Sequence, residues 1–272
     1  MASLFRCKWF RWVQVVFAVY AVTGIVLWHL QERLLFHPIP LAASYKYRFS
    51  LPHHEVVIRL NETDQLHMVQ FYPPDRSRKK GIVLYFHGNR GNINRYASFV
   101  PLFTQQGYEV WMPDYPGYGK TTGLRTEQRM YSDAALVYKM AVKKVSSDSI
   151  VIYGKSLGTG VATELASHSH CKLLLLETPY YSIPDLARHH FPIYPTHRMS
   201  RYLFPNYEYL PNVKAPVVIF QGTRDRLVPY RHARQLAPLL KPGDVFVTIT
   251  GGGHNNLSEF EMYREKLKAA LL

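Results

Sequence analysis

The stretch Ile150-Val151-Ile152-Tyr153-Gly154-Lys155-Ser156-Leu157-Gly158 decides the fold that this chain can adopt. Its apolar run predicts a buried strand, Gly-x-Ser-x-Gly follows, and residues 159–166 are typical of a helix. A serine on so sharp a strand-to-helix turn adopts strained backbone angles, and side chains two positions away on either side would collide. Because glycine removes the collision, the pattern predicts a turn that lifts the Ser156 hydroxyl above a sheet. The alternative is an ordinary glycine-rich turn.

Strands and helices alternate from residue 81 onward. Strands are predicted at residues 82–86, 109–112, 150–153, 173–176, 217–221 and 245–250, and helices at about 93–106, at 126–144 and from about 255. Continuous apolar strands between helices indicate an α/β fold, with a mostly parallel sheet covered by helices on both faces. Before them, residues 55–60 and 67–72 predict an antiparallel pair of strands.

Residues 180–213 interrupt this alternation. The segment is rich in Tyr, Pro, His and Arg. Long insertions at the edge of a sheet often bind substrate, so we expect a small lid over the site. The alternative is a long connecting loop.

A serine hydroxyl needs a base, and the base needs an acid that orients it. His254 follows the last predicted strand in Gly251-Gly252-Gly253-His254, where loops at the carboxyl ends of strands carry reactive groups, so it is the expected base. An ordinary turn histidine is the alternative. Four other histidines follow the helix that comes after Ser156. His189, His190 and His197 are expected in the lid, and His232 is expected at the surface of a helix.

Asp225 is the expected acid because it follows the predicted strand at 217–221. Asp185 falls in the lid segment, and Asp244 falls before the last strand, at the opposite end of the sheet. The alternative role for Asp225 is a turn or helix cap.

Two backbone N–H groups are expected to form an oxyanion hole. One belongs to Leu157, directly after the serine, and the other to Asn89 in the loop His87-Gly88-Asn89 after the first parallel strand. His87 precedes the serine in the chain, so we expect it to have a structural role.

Composition excludes several classes of function. The 272 residues carry a net charge of +14, but the charges are spread along the chain and no nucleic-acid-binding motif is present. No metal-ligand spacing, P-loop or dinucleotide fingerprint occurs, so no cofactor and no metal are expected. The two cysteines, Cys7 and Cys171, are not expected to form a disulfide.

Residues 12–30 carry no charge and, as a helix, reach about 28 Å, close to the thickness of a bilayer core. Trp9, Trp12 and Trp28 lie near the ends, where indoles favour the headgroup boundary. A retained single-span anchor fits better than a cleaved signal peptide, whose apolar stretch is shorter, or an amphipathic surface helix, which needs a polar face. The basic N-terminus favours a catalytic domain outside the cytoplasm, although Arg33, Lys46 and Arg48 weaken the charge asymmetry.

Six motifs together resemble the α/β-hydrolase superfamily, and more closely its small membrane-anchored serine hydrolases, which include animal protein depalmitoylases. In chain order they are residues 31–38 (QERLLFHP), 87–89 (HGN), 114–119 (DYPGYG), 154–158 (GKSLG), 222–225 (GTRD) and 253–254 (GH). The resemblance implies the same nucleophile, acid and base: Ser156, Asp225 and His254. Residues 120–125 depart from the commoner Ser-Ser-Gly-x-Pro form, which leaves the local shape of the pocket open.

These observations predict an α/β-hydrolase domain at residues 41–272, with its lid at about 180–213, after a tail, transmembrane anchor and linker at residues 1–40. The expected function is hydrolysis of small-molecule or lipid acyl esters at a membrane. The sequence as a whole resembles those of bacterial proteins, so the expected location is a bacterial inner membrane. Acyl-protein thioesters or peptides are the alternative substrates. A catalytically silent binding scaffold is the alternative outside the enzymes.

Overall fold

The computed structural model describes the backbone of residues 2–272 and the side chains of residues 9–77 and 79–272. Its strands are β1 (His37–Pro38), β2 (His53–Arg59), β3 (Gln65–Phe71), β4 (Gly81–Phe86), β5 (Arg90–Gly91), β6 (Tyr108–Pro113), β7 (Ile150–Lys155), β8 (Leu173–Glu177), β9 (Val217–Gly222) and β10 (Val245–Ile249). Its α-helices are α1 (Ala2–Leu35), α2 (Ile93–Tyr96), α3 (Pro101–Thr104), α4 (Glu127–Ala141), α5 (Gly158–His168), α6 (Ile183–His190), α7 (Thr196–Met199), α8 (Asn206–Tyr209), α9 (Tyr230–Arg234) and α10 (Glu261–Ala270).

Eight strands form one sheet in the spatial order β10-β9-β8-β7-β4-β6-β3-β2. The pairs from β10 to β6 are parallel, and only β3 pairs antiparallel, with β2 and with β6. The chain runs from β4 outward to β6 and then returns to β7 on the other side of β4. This reversal places the carboxyl ends of β4 and β7 at a topological switch point, where α/β sheets bind ligands.

Alternate residues of the central strands supply two apolar clusters, one on each face of the sheet. Ile82, Leu84 and Ile152 pack on one face with α4, α5 and the lid segment. Val83 and Tyr85 pack on the other face with α2, α3 and α10. Since both faces are covered, the central strands are apolar along most of their length, and the predicted α/β-hydrolase fold is confirmed.

The structure corrects the predicted bounds in three places. The helix expected at 93–106 is broken into α2, a 3-10 turn and α3, and the last helix begins only at Glu261 after a 3-10 turn. The expected linker is ordered, because α1 continues to Leu35 and β1 then pairs in parallel with β5. Cys171 is buried and free, whereas the Cys7 side chain lies outside the described residues.

Within the described chain, one helix is long and apolar enough to cross a membrane, over Trp9–Leu35, and its most apolar 18-residue window has a mean hydropathy of 1.9. Its second half lies against the segment at residues 180–213, where the sequence predicts a lid. Tyr20 stacks on Tyr194 with ring centroids 4.8 Å apart, and the Gln31 side chain accepts a hydrogen bond of 2.7 Å from the Arg201 N–H. The helix therefore contacts this segment along several of its turns.

Candidate active site

Ser156 lies on the turn between β7 and α5 with φ of 51°, in the left-handed region that non-glycine residues rarely adopt. A Cβ on Gly158 would lie 2.0 Å from the Phe86 carbonyl oxygen, and one on Gly154 would lie 2.5 Å from the Gly158 oxygen. Both glycines are thus required by close backbone approach. The Ser156 N–H donates to the Glu177 carbonyl over 2.8 Å, which holds the strained turn against β8.

The structure brings the serine, histidine and aspartate predicted from the sequence into one hydrogen-bonded line. His254 Nε2 lies 2.9 Å from Ser156 Oγ, and His254 Nδ1 lies 2.8 Å from Asp225 Oδ2. Because a carboxylate oxygen accepts, Nδ1 donates to Asp225, which leaves Nε2 free to accept the serine proton. This is the arrangement that a general base requires.

Asp225 is buried and its geometry is fixed by four donors. Its Oδ1 accepts from the backbone N–H groups of Leu227 and Val228, each over 2.9 Å, and Oδ2 accepts from Gln221 as well as from His254. Asp225 therefore caps the following turn, which is the alternative role considered from the sequence, and also bonds to His254.

The loops that carry the acid and the base touch each other directly. The Arg224 N–H donates to the Gly252 carbonyl over 2.8 Å, and a Cβ on Gly222 would lie 2.2 Å from that same oxygen. Glycine at position 222 therefore lets the loop after β10 fold over the end of β9, which places His254 between Asp225 and the serine.

The two expected oxyanion donors flank the serine in the same cavity. Leu157 precedes the first turn of α5, where backbone N–H groups have no intrahelical acceptor. Asn89 is held from both sides, because its carbonyl accepts from the His37 N–H and from the Tyr118 hydroxyl. A Cβ on Gly88 would lie 3.6 Å from Ser156 Cβ, so this loop approaches the nucleophile closely.

His87 lies below this loop and not in the line of proton transfer. It is fully buried, with Nδ1 donating to the Gly88 carbonyl over 2.7 Å and Nε2 lying 3.2 Å from Asp114 Oδ1. Asp114 also accepts from the Ile93 N–H over 3.1 Å. These contacts hold the Gly88 turn, and they are those of a structural residue.

A buried ion pair below the serine was not anticipated from the sequence. Lys155 Nζ donates to Glu177 Oε1, while the Tyr153 and Tyr263 hydroxyls donate to Oε2. Burial alone would raise the pKa of the Glu177 carboxyl, but the Lys155 charge and these hydrogen bonds outweigh it and hold the pKa below its usual value. The sequence contains one indication of this ion pair, because a single charged residue, Lys155 or Glu177, ends each of two otherwise apolar strands.

A cavity of about 210 Å³ opens beside Ser156. Most of its lining is apolar and comes from three places: Leu27, Trp28, Leu34 and Leu35 of α1; Ile183, Leu186, Ala187, Phe191, Tyr194 and Met199 of the lid segment; and Leu157, Tyr180, Leu227 and Val228 around the serine. Among the described residues that line it, none is acidic. The sequence did not indicate that α1 forms a wall of this cavity.

Of the histidines considered from the sequence, His254 is the one that bonds to Ser156, and the others make different contacts. His190 lines the cavity wall and His197 pairs with Asp185 over 3.2 Å. The expectation that His232 is a surface residue is wrong, because its helix packs against β9 and leaves the ring 7% exposed. No group of three or more potential metal ligands occurs among the residues that the structure describes.

Comparisons with known proteins agree with this architecture. The serine aminopeptidase (S33) family model matches residues 77–209. An uncharacterized protein of Mycobacterium tuberculosis is 29% identical over 261 residues, covering 93% of this chain and 91% of that protein. The α/β-hydrolase domain-containing protein 17C of Xenopus tropicalis is 28% identical over 191 residues, covering 68% of this chain but only 60% of the relative.

Solved structures share the fold. An esterase of Pyrococcus furiosus superposes with a TM-score of 0.67 at 18% identity, over 87% of this chain and 96% of that one. Est1E of Butyrivibrio proteoclasticus gives a TM-score of 0.63 at 17% identity, over 79% and 96% of the two chains. With the strand order and the serine turn described above, these matches show that the chain has the α/β-hydrolase fold.

Proposed function

We propose that this chain is a membrane-anchored serine hydrolase that cleaves carboxylic acyl esters through an acyl-serine intermediate. The observation that carries the proposal is the line from Ser156 Oγ through both nitrogens of His254 to Asp225, with distances of 2.9 and 2.8 Å. Nothing in this line needs a cofactor, because the imidazole supplies and accepts the protons.

In the first step Ser156 Oγ attacks the ester carbonyl carbon while its proton passes to His254 Nε2. The developing oxyanion accepts hydrogen bonds from the N–H groups of Leu157 and Asn89, each worth on the order of a hundredfold in rate. The imidazolium, held by Asp225, then protonates the alkoxide that leaves. Water enters, loses a proton to Nε2, attacks the acyl carbonyl, and Ser156 departs with that proton.

The lining of the cavity favours acyl esters over the peptides suggested by the name of the matching family. An aminopeptidase must neutralise the free ammonium of its substrate, which calls for a carboxylate in the pocket. None of the described lining residues is acidic, whereas aliphatic and aromatic side chains surround Ser156. An apolar acyl chain therefore fits this cavity better than a peptide N-terminus.

Retention of α1 as an anchor is supported by its contacts. The Asn89 side chain donates to the Leu35 carbonyl over 2.6 Å, and the Tyr202 hydroxyl donates to Glu32 over 2.8 Å. A cleaved signal sequence would remove a wall of the cavity together with these bonds. We propose that residues 1–40 anchor the domain at 41–272 in a bacterial inner membrane, with the catalytic domain outside the cytoplasm.

A substrate panel tests the proposal. We expect the purified full chain to hydrolyse p-nitrophenyl acyl esters faster than acyl thioesters or aminoacyl p-nitroanilides, and Ser156→Ala to lose the activity while keeping its circular dichroism spectrum. If the chain hydrolyses thioesters or anilides faster than esters, the ester proposal is wrong and the chain is a thioesterase or a peptidase. No turnover of any substrate by the folded wild type would favour a silent scaffold.

A further inference from the structure

The contacts between α1 and the lid form one stripe along the helix. Tyr20, Gly24, Trp28 and Gln31 follow one another at helical spacing, and each one faces lid residues between 193 and 201. The neighbouring positions, such as Val22 and Val26, remain exposed at 59% and 45%. One face of the apolar helix is thus used for the domain, and the opposite face is left for lipid.

This docking fixes how deep the lid lies if α1 spans a bilayer. From Leu30, the end of the uncharged stretch, to Tyr20 the helix rises about 15 Å. The lid residues at the level of Tyr20 therefore lie well inside the hydrocarbon. A span placed entirely before Tyr20 would bring Arg11 and the basic residues before it into the bilayer, at about 2.5–3.5 kcal/mol for each one near its centre.

The part of the lid that reaches this level is Phe191-Pro192-Ile193-Tyr194-Pro195, here called the lid tip, and it carries no charge. Ile193 is 69% exposed, although it is a large apolar side chain. Its carbonyl accepts from the Tyr20 hydroxyl, and the Tyr194 hydroxyl donates to the Tyr20 carbonyl, each over 3.2 Å.

The backbone of the lid tip presents few N–H groups that need water. Its two prolines have no N–H group, and two of its three N–H groups, those of Phe191 and Tyr194, donate to carbonyls within the lid over 2.7 and 3.2 Å. Exposed basic side chains stand on both sides of the tip, with Arg188 before it and Arg198 after it. Such residues contact anionic headgroups while the apolar segment between them enters the lipid.

We propose that the lid tip is immersed in the bilayer and that the acyl chain of the substrate enters the cavity sideways, from the lipid, through the seam between α1 and the lid. The substrate is then a membrane-resident long-chain acyl ester. This inference rests on the proposed hydrolase function for its chemistry. The immersion itself rests on α1 spanning the bilayer, as proposed above, and on the contacts of α1 with the lid. The cavity lining continues from Ser156 to Leu27 and Trp28 of α1, which joins the nucleophile to the membrane helix.

The first experiment measures immersion without catalysis. A nitroxide is attached at Ile193→Cys in a Cys7→Ser background, in vesicles of phosphatidylcholine and phosphatidylglycerol, while Cys171 is buried and does not react. The matched control is Val57→Cys, 52% exposed on the edge strand β2. We expect the label at 193 to collide with oxygen more than with a water-soluble nickel complex, and the control to show the reverse. Equal access of the nickel complex to both labels would overturn the proposal.

The second experiment measures the route. In the same vesicles, kcat/KM is compared for 4-methylumbelliferyl palmitate, which partitions into lipid, and for the acetate, which stays in water. We expect Leu27→Trp, which narrows the α1 wall, to lower the palmitate-to-acetate ratio at least tenfold. Val26→Trp, on the lipid-facing side of the same turn, should leave the ratio within twofold. An unchanged ratio in Leu27→Trp would overturn lateral access.

The two proposals fail in different ways. If wild type hydrolyses the acetate but the label at Ile193 is in water, the hydrolase stands and lateral access is wrong. If wild type hydrolyses neither ester while the label at 193 lies in lipid, the hydrolase assignment is wrong and immersion stands.

Discussion

Lys155→Met removes the buried ammonium that neutralises Glu177 directly below the Ser156 turn. Both side chains are essentially inaccessible, at 2% and 0% exposure, so water cannot replace the lost partner. Removing one member of a buried pair costs about 3–5 kcal/mol because it leaves an uncompensated charge. For a domain of this size each kcal/mol lowers the melting temperature by about 2–4 °C, so we expect a decrease of roughly 6–20 °C.

The double variant Lys155→Met/Glu177→Gln separates the pair from the packing. Removing both charges leaves no ion unpaired, and the amide oxygen of glutamine still accepts from a tyrosine hydroxyl. We therefore expect the double variant to be more stable than either single variant, with a coupling energy of at least about 1.5 kcal/mol in the cycle. Single effects that add within about 0.5 kcal/mol would refute the reasoning.

The dependence on pH gives a second readout of the same pair. In folded wild type the pKa of Glu177 is below its value in the unfolded chain, which is about 4.3. The contribution of Glu177 to stability is therefore complete above the unfolded pKa and is lost as pH falls through the folded pKa. In Lys155→Met the upward effect of burial dominates and raises the folded pKa. In the variant, the contribution of Glu177 to stability is complete below its unfolded pKa and is lost as pH rises through its raised folded pKa. Melting curves at pH 7 and pH 4.5 should show the gap between the two proteins narrowing at the lower pH, and a constant gap would contradict this assignment.

Three further predictions concern the turn, the acid and the oxyanion hole. Gly158→Ala should lower kcat at least a hundredfold, because its Cβ would lie 2.0 Å from a β4 carbonyl oxygen. The control Gly243→Ala, which has φ of 93° and open space around it, should keep its activity and cost only about 1–2 kcal/mol of stability. Equal activity losses in the two variants would contradict the close backbone approach at the Ser156 turn. Asp225→Asn should lower kcat by about 10³–10⁴ with little change in KM, measured on a short p-nitrophenyl ester; a loss below tenfold would remove Asp225 from the proton line. Asn89→Pro, which deletes the N–H, should lower kcat about 10²–10³, while Asn89→Ala, which keeps it, should lose less than tenfold; equal losses in both folded variants would show that the side chain matters and not the N–H.

The fold could be predicted from the sequence because each local pattern agreed with the sheet. Strands β4 and β7 are buried on both faces and are apolar except for Lys155 at the end of β7, and the Gly154 and Gly158 pair is required by backbone contacts of 2.5 and 2.0 Å. Chain order and position after a strand also selected Asp225 and His254, which the structure places within hydrogen-bond reach of each other.

The contacts that could not be predicted join parts of the chain with no common sequence pattern. The contact between Tyr20 and Tyr194 joins residues that are 174 positions apart, and a helix that is apolar on nearly every face has no periodic signal that would mark the face in contact with the domain. The burial of His232 was missed because its helix is one and a half turns long, too short for a periodicity. The Lys155–Glu177 pair depends on two strands becoming neighbours, which the pairing of β7 with β8 provides.

The proposed chemistry requires that Ser156 is a nucleophile activated by His254. We would test this requirement by measuring the intact mass of the full chain after treatment with a fluorophosphonate. We expect one adduct per chain, located by peptide mapping on the peptide that contains Ser156, and formed at least a hundredfold more slowly in His254→Ala. Labelling of another serine, or equal labelling in Ser156→Ala, would show that Ser156 is not the nucleophile.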